Sequence, residues 1–287
     1  MASKKIPLDK YYTSQELADY CTQKVIEIIG KENIAELIES SAGNGVFLNS
    51  FEKLLPSIPY KAYDIEPQNN RIVKADFLKL EMEYKKGRIV GFNFPYGSRN
   101  NLSRAFANKG FEIAEYVCSI LPISQLNNTQ SIYKYDLIYS EDLGKQLYSG
   151  VEVWCCFNIY KRPISGKFNK KISYKESEII EIREVIKNNN PKRNRELGDF
   201  EYDLKILAWG TATNNRPIGC FLSDSENYAK TFYIKIHKKE YKNKIIELLK
   251  NAKWQELYPM TATPNLLQWQ VYKYIKESMV RIENTEI

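Results

Sequence analysis

The chain has 287 residues, 43% of them hydrophobic and 27% charged, with a formal net charge of +7 at pH 7. The hydrophobic content excludes a disordered chain. No apolar run approaches the ~18 residues that span a bilayer, which excludes a membrane-spanning protein. A single histidine, His237, argues against a zinc site and a histidine-based catalytic triad, so we expect no metal. The first residues lack the apolar stretch that directs export, so we expect a cytoplasmic protein without a membrane partner.

The N-terminal part of the chain alternates helical and strand patterns. Thr13-Ser14-Gln15-Glu16 has the form of a capping box and predicts a helix that ends at Gly30. The apolar-rich run over 34–39 predicts the first strand, and the glycine-containing turn over 40–45 leads into a second helix. Residues 60–64 are predicted to form the next strand.

The alternation continues through residue 160. Arg88 to Phe92 predicts a strand, residues 103–114 a helix, and residues 116–122 a buried strand. Residues 151–160 carry the longest strand pattern of the chain. We therefore expect an α/β fold with a Rossmann-like, mostly parallel sheet and helices on both faces. Ligands of such sheets lie at the carboxyl ends of the strands.

After residue 160 the sequence becomes basic and polar, which predicts a boundary. We assign residues 1–162 to a catalytic domain and 163–287 to a smaller α+β region that contains a basic linker and recognises the target. Five basic residues of the second region are candidates for phosphate contacts, namely Lys170, Lys171, Lys192, Arg193 and Arg195. The alternative is that these residues form a solvated linker.

Two features at the predicted strand ends suggest a nucleoside ligand. The turn Ser41-Ala42-Gly43-Asn44-Gly45 allows backbone to approach a ligand, but it lacks the full glycine pattern of dinucleotide sites and the lysine of phosphate-binding loops. Asp64 ends the second strand, where a carboxylate can accept hydrogen bonds from both ribose hydroxyls of an adenosyl group. Its alternative role is that of a solvated turn residue.

The sequence Asn93-Phe94-Pro95-Tyr96 follows an apolar strand and is the candidate catalytic loop. The exocyclic amine of a base is a poor nucleophile because its lone pair is delocalised into the ring. If the Asn93 side-chain oxygen and the Phe94 carbonyl accept its two N–H groups, the lone pair is directed towards an incoming methyl group. Tyr96 would stack on a base swung out of the helix. An ordinary proline-containing turn is the alternative.

Taken in order, these motifs resemble the amino-group DNA methyltransferases with the gamma order of motifs, whose catalytic signature is Asn-Pro-Pro-Tyr or Asn-Pro-Pro-Phe. The resemblance runs from about residue 9 to 162 and implies a methyltransferase fold, S-adenosylmethionine as cofactor and the N6 amine of adenine in DNA as target. It places Thr13 near the methionine carboxylate and Asp76-Phe77 beside the cofactor adenine. The cofactor-binding residues that it implies are Tyr11, Thr13, Glu39, Ser41, Ala42, Gly43, Asp64, Ile65, Asp76, Phe77 and Asn93.

The chain departs from that family at one catalytic position, where Phe94 replaces a proline. Because the group needed there is a backbone carbonyl, we expect the chemistry to survive. An apolar residue in this slot also resembles the ribosomal-RNA adenine dimethyltransferases, so RNA is the second candidate target. Cytosine N4, a protein glutamine side chain and a non-catalytic nucleic-acid-binding relative are further alternatives. If the target is DNA, the resemblance also allows a partner restriction nuclease.

Overall fold

A computed structural model of the protein describes residues 12–148, 150–174, 177–209, 216–259 and 264–283. The chain divides into two compact units, residues 1–171 and 172–287. The division follows Lys171 instead of residue 162, because the intervening segment is tied to the first unit. The Arg162 N–H donates to the Glu115 carbonyl at 2.8 Å, and the Asn169 N–H donates to the Lys134 carbonyl at 2.9 Å.

The first unit contains three helices and seven strands among its described residues. The helices are α1 (Gln15–Ile29), α2 (Val46–Leu54) and α3 (Asn101–Ile113). The strands are β1 (Glu36–Glu39), β2 (Tyr60–Asp64), β3 (Val73–Lys74), β4 (Lys85–Asn93), β5 (Ala114–Pro122), β6 (Asp136–Tyr148) and β7 (Val151–Lys161). Helix α1 begins after Ser14, whose hydroxyl accepts the Leu17 N–H at 3.2 Å, and it ends at Gly30 as predicted.

The seven strands form one sheet in the order β3-β2-β1-β4-β5-β7-β6. The first five pair in parallel, whereas β7 runs antiparallel to both of its neighbours. The predicted α/β fold with a mostly parallel, Rossmann-like sheet is therefore confirmed. Because β1, β2 and β4 are parallel, the loops that follow them lie along one edge of the sheet.

Helices cover both faces of this sheet. Side chains alternate between faces along a strand, so Ile89 packs with α1 and α2 whereas its neighbour Val90 packs with α3. Phe51 of α2 and Phe111 of α3 are fully buried in the two resulting cores. The sheet is thus fixed from both sides, and the loops at its carboxyl edge start from rigid positions.

The second unit is a smaller α+β structure. Its strands β8 (Ile180–Ile186), β9 (Leu204–Leu207) and β10 (Lys230–Ile236) form an antiparallel sheet in the order β8-β10-β9. Its helices are α4 (Lys242–Asn251), α5 (Trp254–Leu257) and α6 (Gln268–Glu283). Strand β8 lies within the stretch interpreted as a basic linker. The alternation Ile180-Glu181-Ile182-Arg183 is a period-two strand pattern that could have revealed it.

Candidate functional site

A cavity of about 150 Å³ opens at the carboxyl edge of β1, β2 and β4. Eleven of the predicted site residues line it: Thr13, Ser41, Ala42, Gly43, Asp64, Ile65, Asp76, Phe77, Asn93, Phe94 and Pro95. The lining includes further residues that the sequence did not single out, among them Gln68 and Phe106. Tyr11 lies outside the described residues, and Glu39 and Tyr96 do not line the cavity.

The glycine-containing turn and Asp64 are fixed against each other. One Asp64 carboxylate oxygen accepts the Gly43 N–H at 2.7 Å, and the other accepts the Glu66 N–H at 2.8 Å. Gly43 has a φ of 54°, in the left-handed region that glycine adopts without strain. Each carboxylate oxygen accepts more than one hydrogen bond. Asp64 can therefore hold the turn and still bind hydroxyl groups in the cavity.

An apolar wall lies beside Asp64. Phe77 is buried, stacks on Phe106 with ring centroids 5.6 Å apart, and contributes to the cavity lining. Ile65, by contrast, is 52% exposed. Asp76 caps the short helical turn Phe77–Lys79 by accepting the Leu78 N–H at 3.1 Å. By capping this turn, Asp76 fixes the position of Phe77 in the cavity wall.

Glu39 lies beneath the turn instead of on the cavity surface. It is 1% exposed, and its carboxyl accepts the Ser41 N–H at 3.3 Å. Burial raises the pKa of Glu39 well above its ordinary value. Its second carboxyl oxygen has no hydrogen-bond partner within the described part of the chain. In this geometry Glu39 supports Ser41 from the interior and does not reach the cavity itself.

The candidate catalytic residue Asn93 is half-buried at the end of β4 and contacts Thr13. Its side-chain amide donates to the Thr13 hydroxyl at 3.0 Å. Thr13 is itself buried, just before α1. This contact joins two residues far apart in sequence, and no local pattern could have predicted it. It restricts the rotation of the Asn93 amide.

The backbone immediately before Asn93 is unusual. Phe92 has a φ of 91°, which is uncommon for a residue with a side chain and costs about 1–3 kcal/mol. Its ring is fully buried between Phe47 and Phe51, with centroid distances of 5.2 and 4.6 Å. Packing of this ring holds the strained conformation, which sets the direction in which the chain enters the loop.

Phe94 makes two contacts that the proline of the resembled family could not make. Its N–H donates to the Ser119 hydroxyl at 3.0 Å, and its ring packs against Phe106 with centroids 5.6 Å apart. The ring is almost completely buried. Phe94 therefore contributes more than the backbone carbonyl, since a proline at this position would have neither an N–H to donate nor an aromatic ring.

Tyr96 differs from the sequence-based expectation. Instead of presenting its ring to a base, it is 7% exposed and places its hydroxyl 3.5 Å from the Cys155 sulfur. Burial raises the pKa of Tyr96 well above its ordinary value. The neighbouring Tyr148 of β6 is also buried. In this conformation the ring of Tyr96 is buried beside Cys155 of β7, and it therefore anchors the loop to the β6–β7 hairpin.

The predicted basic residues fall into two groups. Lys170 and Lys171 are exposed at the end of the first unit, whereas Lys192 and Arg193 are exposed on a short helical turn of the second. Arg195 forms an ion pair with Glu184 of β8, which offsets its charge.

Among the described residues there is no group of three or more His, Cys, Asp or Glu side chains that could hold a metal ion. Nor does any described helix have the length and apolarity needed to cross a membrane.

No protein-family model matches the sequence, and no curated protein matches it. Among solved structures, similar chains include a protein from Pyrococcus horikoshii provisionally named an RNA methyltransferase, with 17% identity, a TM-score of 0.44, and coverage of 57% of this chain and 93% of that one. A provisionally named class I S-adenosylmethionine-dependent methyltransferase from Listeria monocytogenes has 12% identity and a TM-score of 0.45, and the match covers 59% of this chain and 66% of that one. The methyltransferase subunit of a type I restriction-modification system from Streptococcus thermophilus has 14% identity and a TM-score of 0.39, and the match covers 53% of this chain and 45% of that one. These similarities are too remote to transfer an activity to this chain.

Proposed function

We propose that this chain is an S-adenosylmethionine-dependent methyltransferase that modifies the exocyclic N6 amine of adenine in DNA, with the target base swung out of the helix. One observation carries the proposal. Asp64, Phe77 and Asn93 come from three separate motifs of the resembled family and line the same cavity at the carboxyl edge of the sheet. That edge is where ligands of open α/β sheets bind.

The cavity residues fit the chemical groups of the cofactor. Asp64 offers carboxylate oxygens to the ribose hydroxyls, and the Phe77 ring and Ile65 offer apolar surface to the adenine. The turn Ser41–Gly43 and the Thr13 hydroxyl offer polar groups to the methionine part. When bound, S-adenosylmethionine would supply an electrophilic methyl group on a sulfonium sulfur.

The loop residues act on the amine of the target base. The Asn93 side-chain oxygen and the Phe94 carbonyl accept its two N–H groups, which draws the nitrogen towards tetrahedral geometry and releases its lone pair from the ring. Thr13 keeps the Asn93 amide in one orientation through its 3.0 Å hydrogen bond. The nitrogen–carbon bond would form as the sulfur–methyl bond breaks, S-adenosylhomocysteine would leave, and one N–H proton, made acidic as the methyl arrives, would pass to water. Catalysis then comes from positioning and fixed dipoles and needs no strong base.

The test combines cofactor binding with methyl transfer. We expect calorimetry to detect binding of S-adenosylmethionine, and we expect tritium from the labelled methyl group to appear in DNA when DNA, RNA and protein are offered in parallel. If the label appeared only in RNA or only in protein, that acceptor would be the substrate and the assignment to DNA would be wrong. Cofactor binding without transfer to any acceptor would identify a non-catalytic relative, and absence of cofactor binding would overturn the proposal.

Asp64→Ala is expected to weaken cofactor binding by ~1.5–3 kcal/mol, the amount typical of removing hydrogen bonds to a charged group. Titration calorimetry measures this change. The control is Glu52→Gln, which removes the same charge at an exposed site of the same unit, where Glu52 pairs with Arg71. Because Asp64 also holds Gly43, the unfolding midpoint of both variants is recorded. Unchanged affinity in Asp64→Ala would remove this residue from the cofactor site.

Replacing Lys192 and Arg193 together by alanine is expected to weaken DNA binding for all sequences. The slope of the logarithm of the binding constant against the logarithm of the salt concentration should also become less steep, by ~0.9 for each phosphate that is no longer neutralised. Arg195→Ala should have a smaller effect, because Glu184 already pairs with Arg195. Fluorescence anisotropy at several salt concentrations measures both quantities. If the double variant bound DNA with unchanged affinity and slope, this turn would be an ordinary solvated segment.

A further inference from the structure

Three serines surround the candidate catalytic loop, and each comes from a different element. Ser41 lies in the turn after β1, Ser103 in α3 and Ser119 in β5. Their hydroxyls contact backbone groups of three consecutive loop residues. The Ser41 hydroxyl donates to the Asn93 carbonyl at 2.8 Å, the Phe94 N–H donates to the Ser119 hydroxyl at 3.0 Å, and the Ser103 hydroxyl donates to the Pro95 carbonyl at 3.1 Å.

The positions of these serines are not explained by packing alone. Ser119 is 0% exposed, in the middle of a buried strand between Cys118 and Ile120, and Ser103 is 1% exposed on the inner side of α3. A buried hydroxyl is costly unless it is hydrogen-bonded. The Ser119 hydroxyl both accepts and donates, since it also donates to the Ile120 carbonyl at 2.9 Å. Small apolar residues would fill both places without requiring such partners.

The consequence of the three bonds is a fixed orientation for the central carbonyl. The Asn93 carbonyl and the Pro95 carbonyl both accept serine hydroxyls, and the N–H of Phe94 is held as well. The Phe94 carbonyl therefore lies between peptide units that cannot rotate freely. In the reaction proposed above, this carbonyl accepts an N–H of the target amine.

We propose that Ser41, Ser103 and Ser119 form a serine cradle whose role is to position the catalytic loop for methyl transfer. They are positioning residues, because they act on the loop backbone and not on the amine. This inference rests on the proposed function for its kinetic consequence. A misplacement of reacting groups by about 1 Å can cost ~10²-fold in rate, so small shifts of the loop would be costly.

The kinetic test uses Ser103→Ala and Ser119→Ala, because Ser41 also lines the cofactor cavity. Each variant is expected to lower kcat by roughly ten- to hundredfold, with KM for DNA and the dissociation constant of S-adenosylmethionine changed less than about twofold. Ser103→Thr and Ser119→Thr restore the hydroxyl and should recover much of kcat. An unchanged kcat in both alanine variants would overturn the proposal.

Ser50→Ala is the matched control. Ser50 is also 0% exposed in the first unit, and its hydroxyl bonds to Asp19 at 2.6 Å without touching the loop. It should lower the unfolding temperature about as much as the loop variants but leave kcat near the wild-type value. If Ser50→Ala lowered kcat as strongly as Ser119→Ala, the effect would be general destabilisation and the cradle would be rejected.

A second readout does not depend on any activity. Hydrogen exchange of the Phe94 amide, followed by nuclear magnetic resonance, should become at least tenfold faster in Ser119→Ala and stay unchanged in Ser50→Ala. Equal exchange in wild type and Ser119→Ala would contradict the cradle even in a fully active enzyme. Conversely, a wild-type chain that transfers no methyl group would overturn the proposed function, while this exchange measurement would still decide the serine contacts.

Discussion

Asn93→Ala is expected to abolish methyl transfer, with kcat lowered by at least ~10²–10³-fold, the cost of removing one preorganised polar group from a transition state. The side-chain oxygen is proposed to act on the target amine, and the other cofactor-binding residues are unchanged, so the dissociation constant of S-adenosylmethionine should change far less than kcat. Single-turnover transfer of tritium to DNA measures the rate, and calorimetry measures cofactor affinity.

Asn33→Ala is the control for this experiment. Asn33 does not line the cavity, and its side-chain amide donates to the Ile29 carbonyl at 2.8 Å, at the end of α1. It should leave the transfer rate within a few-fold of wild type. Methylation by Asn93→Ala at close to the wild-type rate would show that the amine is not polarised by Asn93. The proposed mechanism would then be wrong even if cofactor binding were confirmed.

Gly91→Ala is expected to have the largest effect on stability. Gly91 lies in β4 with a φ of 143°, and a Cβ atom there would be 1.8 Å from the Cys118 carbonyl oxygen of β5. That neighbour is backbone of the adjacent central strand, so it cannot move aside without breaking the β4–β5 pairing. We expect destabilisation above ~4 kcal/mol, seen as loss of soluble folded protein or of a cooperative unfolding transition.

Gly144→Ala provides the matched comparison. Gly144 also has a positive φ, of 69°, but a Cβ atom there would meet nothing within 4 Å. Only backbone strain is then added, which costs about 1–2 kcal/mol. Chemical denaturation of both variants separates strain from collision. If Gly91→Ala unfolded at the same denaturant concentration as Gly144→Ala, the predicted collision between the added Cβ atom and the Cys118 carbonyl would be wrong.

Much of the first unit could be predicted from the sequence, because its signals are local. The capping residue Ser14, the apolar strands and the glycine turn after β1 each depend on neighbours within a few positions. The parallel arrangement then follows from the alternation of strands and helices. It places Asp64 and Asn93 at one edge without any knowledge of their contacts. Strand β8 was missed because charged residues occupy its alternate positions, which resembled a polar linker.

The detailed roles at the site were decided only by the tertiary structure. The Thr13 contact to Asn93, the serine hydroxyls on the loop and the pairing of Arg195 with Glu184 join elements that are distant or unrecognised in the sequence. The sequence predicts that Tyr96 faces a base, whereas in the structure its side chain is buried beside Cys155. Sequence periodicity specifies which face of an element is apolar, whereas the partner of a polar or aromatic group depends on what folding brings within a few ångströms of it.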